Sequence, residues 1–200
     1  MLAPPQRGLQ RERLLRHLLE RQGQVFTPYD LAVHADVTPQ YGYKWVRQLE
    51  AEGLLNGTRV LDFEALWAYW RRHHARPARR EYRMRDPEQF LRTRDAAPYA
   101  LTTYAGETLA HHYLAPARWD LYIDPAQLRP WDARLRQDGD ALVGPGNVRL
   151  LLHDARIPEE ARDIQGLRVV PDALLVLDLL NEGGPCAEAA ERIQHHRRWV

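Results

Sequence analysis

Cysteine is almost missing from this sequence of 200 residues, in which Cys186 is the only one. A single thiol excludes an internal disulfide framework and the cysteine-rich zinc clusters of small domains. Long apolar runs are missing too, since no stretch approaches the roughly 18 apolar residues that a membrane span needs. The opening residues, MLAPPQRGLQRER, lack the apolar core of a secretory signal. We therefore expect a cytoplasmic protein that does not enter a membrane.

Lysine is nearly absent as well, but the charge that arginine supplies is unevenly distributed. Residues 1–80 carry 13 basic against 8 acidic side chains, and residues 81–200 carry 15 basic against 19 acidic side chains. A basic first part and an acidic second part favour a module that binds a polyanion, followed by a different domain.

The first part of the chain has the pattern of three short helices. Leucines recur at helical spacing over residues 9–21, which predicts an amphipathic helix. Thr27-Pro28 and Thr38-Pro39 then repeat one device, a threonine cap followed by proline at the first helical position. The second of these helices is expected to follow the first after a tight turn, as in a helix-turn-helix.

Signals for a small hairpin follow the third helix. Gly53 is expected to end that helix, and Asn56-Gly57 is a turn signal between two apolar runs. Three helices followed by a hairpin are the arrangement of a winged helix-turn-helix. Asp62 is then expected to cap a fourth helix whose aromatic side chains, Phe63, Trp67 and Trp70, face the core.

The third helix, within VTPQYGYKWVRQLEAEGL, has one apolar face. Gly42, Val46 and Leu49 line this face, where Gly42 allows the preceding helix to approach closely. The outward positions hold polar, aromatic and basic side chains, namely Gln40, Tyr41, Lys44, Arg47 and Gln48, and Tyr43 lies near the margin of this face. In a helix-turn-helix the first turns of such a helix enter the major groove of DNA, where glutamine pairs with adenine and arginine or lysine contacts guanine or phosphate.

This stretch resembles the winged-helix signature of bacterial transcription regulators, V-S-x-x-x-V-x-R-x-L-x-x-L-E-x-E-G-L. The matching residues are Val37, Thr38, Lys44, Val46, Leu49, Glu50, Glu52, Gly53 and Leu54. Gly42 departs from the signature, where a β-branched residue is usual. The resemblance and the outward face together predict these contacts with double-stranded DNA: Thr38, Gln40, Tyr41, Tyr43, Lys44, Arg47, Gln48, Asn56, Gly57, Thr58 and Arg59.

The second part of the chain alternates between strand-like and helical segments, which predicts an α/β layer around a small sheet. Residues 71–85 contain seven arginines and are interpreted as a linker or extended segment at the domain boundary. The predicted organisation is a winged helix-turn-helix domain over residues 1–75, a basic linker and connecting helix over 76–94, and an α/β domain over 95–200.

Three pieces of the second part resemble the AbiEi family, the antitoxin component of AbiE-type (type IV) toxin–antitoxin systems. They are YALTTYAGETLAHHYL (99–114), WDLYID (119–124) and LRVVPDALLVLDLLNEGGPCAEAAERI (167–193). The resemblance implies a transcriptional repressor whose second domain is a degraded nucleotidyltransferase fold. It also implies a cognate toxin and a homodimer as partners.

The carboxylates of this second domain do not suit a shared metal ion. Asp120 and Asp124 are four positions apart, about 13 Å along a straight strand, so we expect no catalytic residue, no metal and no cofactor. Asp120 is interpreted as lying at a strand start or in an ion pair. Two alternatives stay open: a minimal nucleotidyltransferase with a nucleic-acid-binding front end, and a protein-interaction module that docks through the winged helix.

Overall fold

A computed structural model describes residues 6–92 and 97–200, and the chain divides into two compact units. The helical unit comprises the described residues up to Ala75 together with Arg192–Val200, and the sheet unit comprises Arg76–Glu191. The molecule is of the mixed α/β type, with a mixed sheet. In the described ranges no helix is both long enough and apolar enough to cross a bilayer.

The helical unit follows the predicted order of three helices, a hairpin and a fourth helix. Its elements are α1 (Gln6–Glu20), α2 (Pro28–His34), α3 (Pro39–Ala51), β1 (Leu55–Asn56), β2 (Arg59–Val60) and α4 (Phe63–His73). Four leucines of α1 are buried, as their helical spacing predicts, together with apolar side chains from α2 and α3: Leu14, Leu15, Leu18, Leu19, Leu31, Trp45, Val46 and Leu49.

Both threonine–proline starts are confirmed. Thr27 and Asp30 form a reciprocal capping box at the start of α2, and the hydrogen bond from the Thr27 backbone lowers the pKa of Asp30. At the start of α3 the Thr38 hydroxyl accepts a hydrogen bond from the Tyr41 backbone N–H, 3.3 Å away. These caps fix where each helix begins and therefore which side chains occupy the first turns of α3.

Gly42 brings α2 and α3 together, as predicted. A Cβ atom added at Gly42 would lie 2.7 Å from the Cβ atom of Ala32 on α2. No real pair of Cβ atoms approaches so closely, so a side chain at this position would force the two helices apart.

The predicted hairpin forms, but its turn lies one residue later than Asn56-Gly57. Asn56 pairs with Arg59, so the two connecting residues are Gly57 and Thr58. Gly57 has a φ of 59°, a conformation that glycine adopts without strain. Asn56 stays in the strand because the pairing continues through it.

The last residues of the chain complete the core of the helical unit. Trp199 is 2% exposed, and its ring centroid lies 5.8 Å from that of Trp67 on α4. Trp67 in turn stacks on Trp70, with ring centroids 5.7 Å apart. Arg197 forms an ion pair with Glu20 at the end of α1, at 2.8 Å. The segment 192–200, which the sequence analysis assigns to the α/β domain, therefore belongs to the helical unit.

The sheet unit supplies the remaining strands and most of the remaining helices. Its strands are β3 (Ala78–Arg83), β4 (Tyr99–Thr102), β5 (Trp119–Ile123), β6 (Leu142–Val143), β7 (Val148–Leu152), β8 (Arg162–Ile164) and β9 (Leu167–Val169). Its helices are α5 (Pro87–Leu91), α6 (Thr103–Ala110), α7 (Leu128–Gln137), α8 (Ile157–Glu160) and α9 (Asp172–Glu182), and α10 (Pro185–Arg197) begins in this unit. A short 3-10 helix, Pro125–Gln127, precedes α7.

The seven strands form one sheet in the order β6-β3-β7-β5-β4-β9-β8. The pairs β5–β7 and β4–β9 are parallel, and the other four pairs are antiparallel. Side chains alternate between the two faces of the sheet. Leu101, Leu121 and Leu150 pack on one face against aromatic and aliphatic side chains of α5 and α7. The opposite face carries Thr102 and Tyr122, which hydrogen-bond to Asp178 of α9.

Residues 76–94 were expected to form a basic linker and a connecting helix, and the linker part of this prediction is wrong for residues 78–83. Residues 78–83 form β3, which lies between β6 and β7 inside the sheet. Two arginines of β3 pair with acidic side chains, Arg79 with Glu81 and Arg80 with Asp132 at 3.1 Å, and the third, Arg83, is exposed. The helix expected after Asp86 is present as α5, and Phe90 buries its ring in the core. Residues 93–94 lie outside the described residues.

Candidate nucleic-acid interface

The exposed face of α3 is the one that its sequence predicts. Gly42, Trp45, Val46 and Leu49 are buried. Gln40, Lys44, Arg47 and Gln48 are exposed as predicted, and Tyr43, expected near the margin, is exposed as well. Tyr41 is half-buried instead of outward. Apart from Tyr41, the periodicity of 3.6 residues locates the outward face of this helix correctly.

The first turns of α3 are electropositive. Over the described part of the chain, neither Lys44 nor Arg47 forms a salt bridge, and the first turn of α3 holds no acidic residue. The N-terminal end of any helix adds partial positive charge, and acids appear only near the far end of this one, at Glu50 and Glu52. The positive potential therefore coincides with the end of the helix that would enter a groove.

Two of the predicted contacts on α3 have partners inside the protein. The Gln48 amide donates a hydrogen bond to Glu52 at 3.1 Å, and the Thr38 hydroxyl is held by the backbone of the first turn. Within the described part of the chain, no hydrogen bond or ion pair holds the side chains of Gln40, Tyr43, Lys44 and Arg47 away from a ligand.

The hairpin beside α3 is held by a carboxylate and a hydroxyl. The backbone N–H of Gly57 donates to the Glu50 carboxylate at 2.7 Å. The Thr58 hydroxyl donates to the carbonyl of Phe26 at 2.8 Å, so this side chain points into the unit instead of toward a ligand. Asn56 and Arg59 remain exposed on the hairpin. The structure thus removes the Gly57 N–H and the Thr58 hydroxyl from the set of available donors.

Gln22 is a positioning residue that the sequence reasoning missed. Its amide donates to the carbonyl of Thr58 at 3.1 Å, and its oxygen accepts from the Val60 N–H at 3.3 Å. The Gln22 side chain therefore bonds backbone groups of Thr58 and Val60, much as a neighbouring strand would. No local pattern reveals this role, because Gln22 and Val60 are 38 residues apart in the chain.

A shallow, open depression lies on the exposed face of α3. The lining residues are Pro39, Gln40, Tyr43, Lys44 and Arg47. The rings of Pro39 and Tyr43 give it an apolar part, and Tyr43 is 45% exposed. Pro39 could not be assigned a contact from the sequence, where it serves as a helix start.

The two carboxylates considered as metal ligands, Asp120 and Asp124, are engaged in structural contacts. Asp120, 2% exposed and near the start of β5, pairs with the Arg118 guanidinium at 2.7 Å and accepts a hydrogen bond from Thr103. Arg118 also pairs with Glu182. Burial alone would lower the pKa of Arg118, but its hydrogen bonds to Asp120 and Glu182 outweigh burial and raise that pKa. Asp124 accepts from the backbone of the following 3-10 helix. The ion pair expected for Asp120 is confirmed.

The remaining sequence candidates are accounted for by packing. Cys186 is fully buried, and this burial raises the pKa of its thiol, as suits a small core residue. Trp67 and Trp70 are buried in the core of the helical unit. His111 contacts Asp172 at 3.0 Å, whereas its neighbour His112 is exposed.

Comparisons with family models, curated proteins and solved structures yielded no match for this chain. The interface is accordingly interpreted from its own geometry and charge.

Proposed function

We propose that the helical unit is a winged helix-turn-helix that binds double-stranded DNA. The observation that carries this proposal is the first three turns of α3, where Gln40, Lys44 and Arg47 project from one exposed face with no acidic partner among the described residues. Groove edges and phosphates require exposed hydrogen-bonding groups and cations that are not already neutralised.

The second element of the proposal is the hairpin, which would lie against the DNA backbone. Arg59 and Asn56 are the exposed side chains available for that contact. The Glu50 carboxylate is occupied by the Gly57 N–H, which limits its repulsion of phosphates. Because the hairpin offers two exposed side chains for contact and α3 offers three, the hairpin is proposed to contribute less binding free energy than α3.

The biological role proposed is that of an antitoxin-type transcriptional repressor. It depends on the resemblance of residues 99–114, 119–124 and 167–193 to the AbiEi family. The sheet unit, for which the same resemblance implies a degraded nucleotidyltransferase fold, would then serve dimerisation or hold a cognate toxin. The ion pair of Asp120 with Arg118 supports a structural role for that carboxylate rather than a catalytic one.

The test is a titration of duplex DNA with the full chain at several salt concentrations. A duplex that the full chain binds is first selected from a random pool of 20-base-pair duplexes. The affinity of each variant is then measured with that selected duplex. We expect the double variant Lys44→Ala, Arg47→Ala to lose at least roughly ten-fold in affinity and to reduce the slope of log affinity against log salt by about 2.

The matched control removes two positive charges from the sheet unit. Arg83 and Arg129 are exposed and form no ion pair in the described chain. The variant Arg83→Ala, Arg129→Ala should keep the affinity and the salt slope of the parent. Equal losses in both double variants would mean that binding depends on net charge alone. If the full chain selects no duplex but co-purifies with one defined protein, the docking-module alternative replaces the proposal.

A further inference from the structure

The depression on α3 has an apolar part that phosphate contacts do not explain. Pro39 and Tyr43 are one helical turn apart, so their rings lie on the same face. Gln40 and Lys44 form the neighbouring row, also one turn apart, and Arg47 follows Tyr43 by one turn. A hydrophobic strip thus lies beside an amide and two cations.

The start of α3 offers few donors to an anion. Pro39 has no backbone N–H, and the N–H of Tyr41 is taken by the Thr38 hydroxyl. A helix start built to hold a phosphate would leave these donors open. The cations at the side of the depression are therefore suited to phosphates, and its floor is suited to an apolar group.

The major groove presents one apolar group on its base edges, the C5-methyl group of thymine. Adenine, its partner, presents an N7 acceptor and an N6 donor, which match the two ends of the Gln40 amide. We propose that the Pro39–Tyr43 floor takes a thymine methyl group while Gln40 reads adenine, so that α3 selects an A·T pair. This inference rests on the proposed DNA binding and specifies what the bound sequence contains.

The experiment replaces thymines by uracil, one at a time, in a duplex selected from a random pool by the full chain. Uracil keeps every hydrogen-bonding group of thymine and lacks only the methyl group. At the thymine beneath the depression we expect affinity to fall roughly three- to ten-fold, the effect of one buried methyl group in a close contact. Uracil at the other positions should bind as thymine does.

Variants assign the effect to the floor of the depression. Tyr43→Ala should bind thymine and uracil duplexes equally, because the ring that contacts the methyl group is gone. Tyr43→Phe should keep the discrimination, since the phenol hydroxyl is not needed. Tyr29→Ala is the control: Tyr29 is 52% exposed on α2 and lies outside the depression, so its loss should leave the thymine-to-uracil ratio unchanged.

The outcomes separate this inference from the function on which it rests. Tight binding of the selected duplex with no uracil effect at any position overturns the inference and leaves DNA binding intact. Failure to select any duplex overturns both. A 5-methylcytosine·guanine pair that binds as tightly as the sensitive thymine·adenine pair overturns the assignment to thymine, since Gln40 would then add nothing.

Discussion

At the scale of single residues, Asp172 is the carboxylate whose surroundings have the clearest consequence for stability. Its burial alone raises the pKa, but the hydrogen bond from His111 and the charge of Arg162 outweigh burial and lower the pKa to about 2. Because the pKa is lower in the folded state, this stabilisation is fully present above pH 3.8 and is lost as the pH falls toward 2. At neutral pH Asp172 is ionised, and its ion pairs therefore stabilise the folded state.

We expect Asp172→Asn to reduce the free energy of unfolding at pH 7 by on the order of 2 kcal/mol. The difference between the variant and the parent should shrink as the pH falls from about 4 to 2. Denaturant unfolding at several pH values measures it. Glu191→Gln, at an exposed position, makes the same chemical change without a buried partner and should leave stability unchanged. A difference that is constant with pH would contradict the role given to the charge.

The outward side chains of α3 could be predicted from sequence, and the orientation of Thr58 could not. Helical periodicity depends only on neighbours along the helix, and it correctly assigns Lys44 and Arg47 to the exposed face. Thr58 instead turns inward because the carbonyl of Phe26, 32 residues away in sequence, accepts its hydroxyl. A hydrogen bond over that separation leaves no periodic trace in the sequence.

At the scale of elements, the contact between α2 and α3 depends on the missing side chain of Gly42. Alanine favours a helix over glycine by about 1 kcal/mol, whereas forcing an extra carbon into a packed site typically costs about 1–3 kcal/mol. The 2.7 Å approach to the Ala32 Cβ atom makes the steric cost the larger effect. We expect Gly42→Ala to lower the free energy of unfolding by about 1 kcal/mol, measured by denaturant titration.

Gly8 provides the matched control for this substitution. It lies in α1, and no atom would come within 4 Å of a Cβ atom added there. Gly8→Ala should therefore raise stability by about 0.5–1 kcal/mol, through helix propensity alone. Adding Ala32→Gly to Gly42→Ala should relieve the contact, which a double-mutant cycle detects as a favourable coupling. An additive double variant would show that the two positions do not interact.

Strand β3 shows why one element of the sheet escaped prediction. Its sequence, ARREYR, lacks the alternation of apolar and polar residues that marks a half-buried strand. Arg80 and Glu81 of this strand pair with residues distant in sequence, Arg80 with Asp132 and Glu81 with Arg149, each at 3.1 Å. The start of a helix, in contrast, depends on residues that are consecutive in sequence. For that reason the sequence alone predicts the caps Thr27 and Thr38.

At the scale of the whole molecule, the helical unit is discontinuous in sequence. Trp199 fills its core against Trp67, and Arg197 pairs with Glu20. Removal of a buried tryptophan side chain typically costs about 3–5 kcal/mol. We expect Trp199→Ala to destabilise the helical unit by an amount in this range.

Hydrogen exchange with residue resolution measures the loss of stability in the helical unit. Amides of α4, which carries Trp67 and Trp70, should lose protection in the Trp199→Ala variant. Val200→Ala is the control, since Val200 is 71% exposed and its loss should change nothing. Unaltered protection of α4 in Trp199→Ala would mean that the tryptophan contributes no stability to this unit.

The late position of Trp199 also constrains how the molecule is made. A ribosome synthesises residues 76–191 between the first part of the helical unit and the segment 192–200 that completes it. Helices α1–α4 are therefore synthesised before the segment that completes their core. The face of Trp67 that contacts Trp199 stays uncovered until that segment leaves the ribosome. Any DNA affinity that requires a finished core would then arise only on chains whose sheet unit has already been translated.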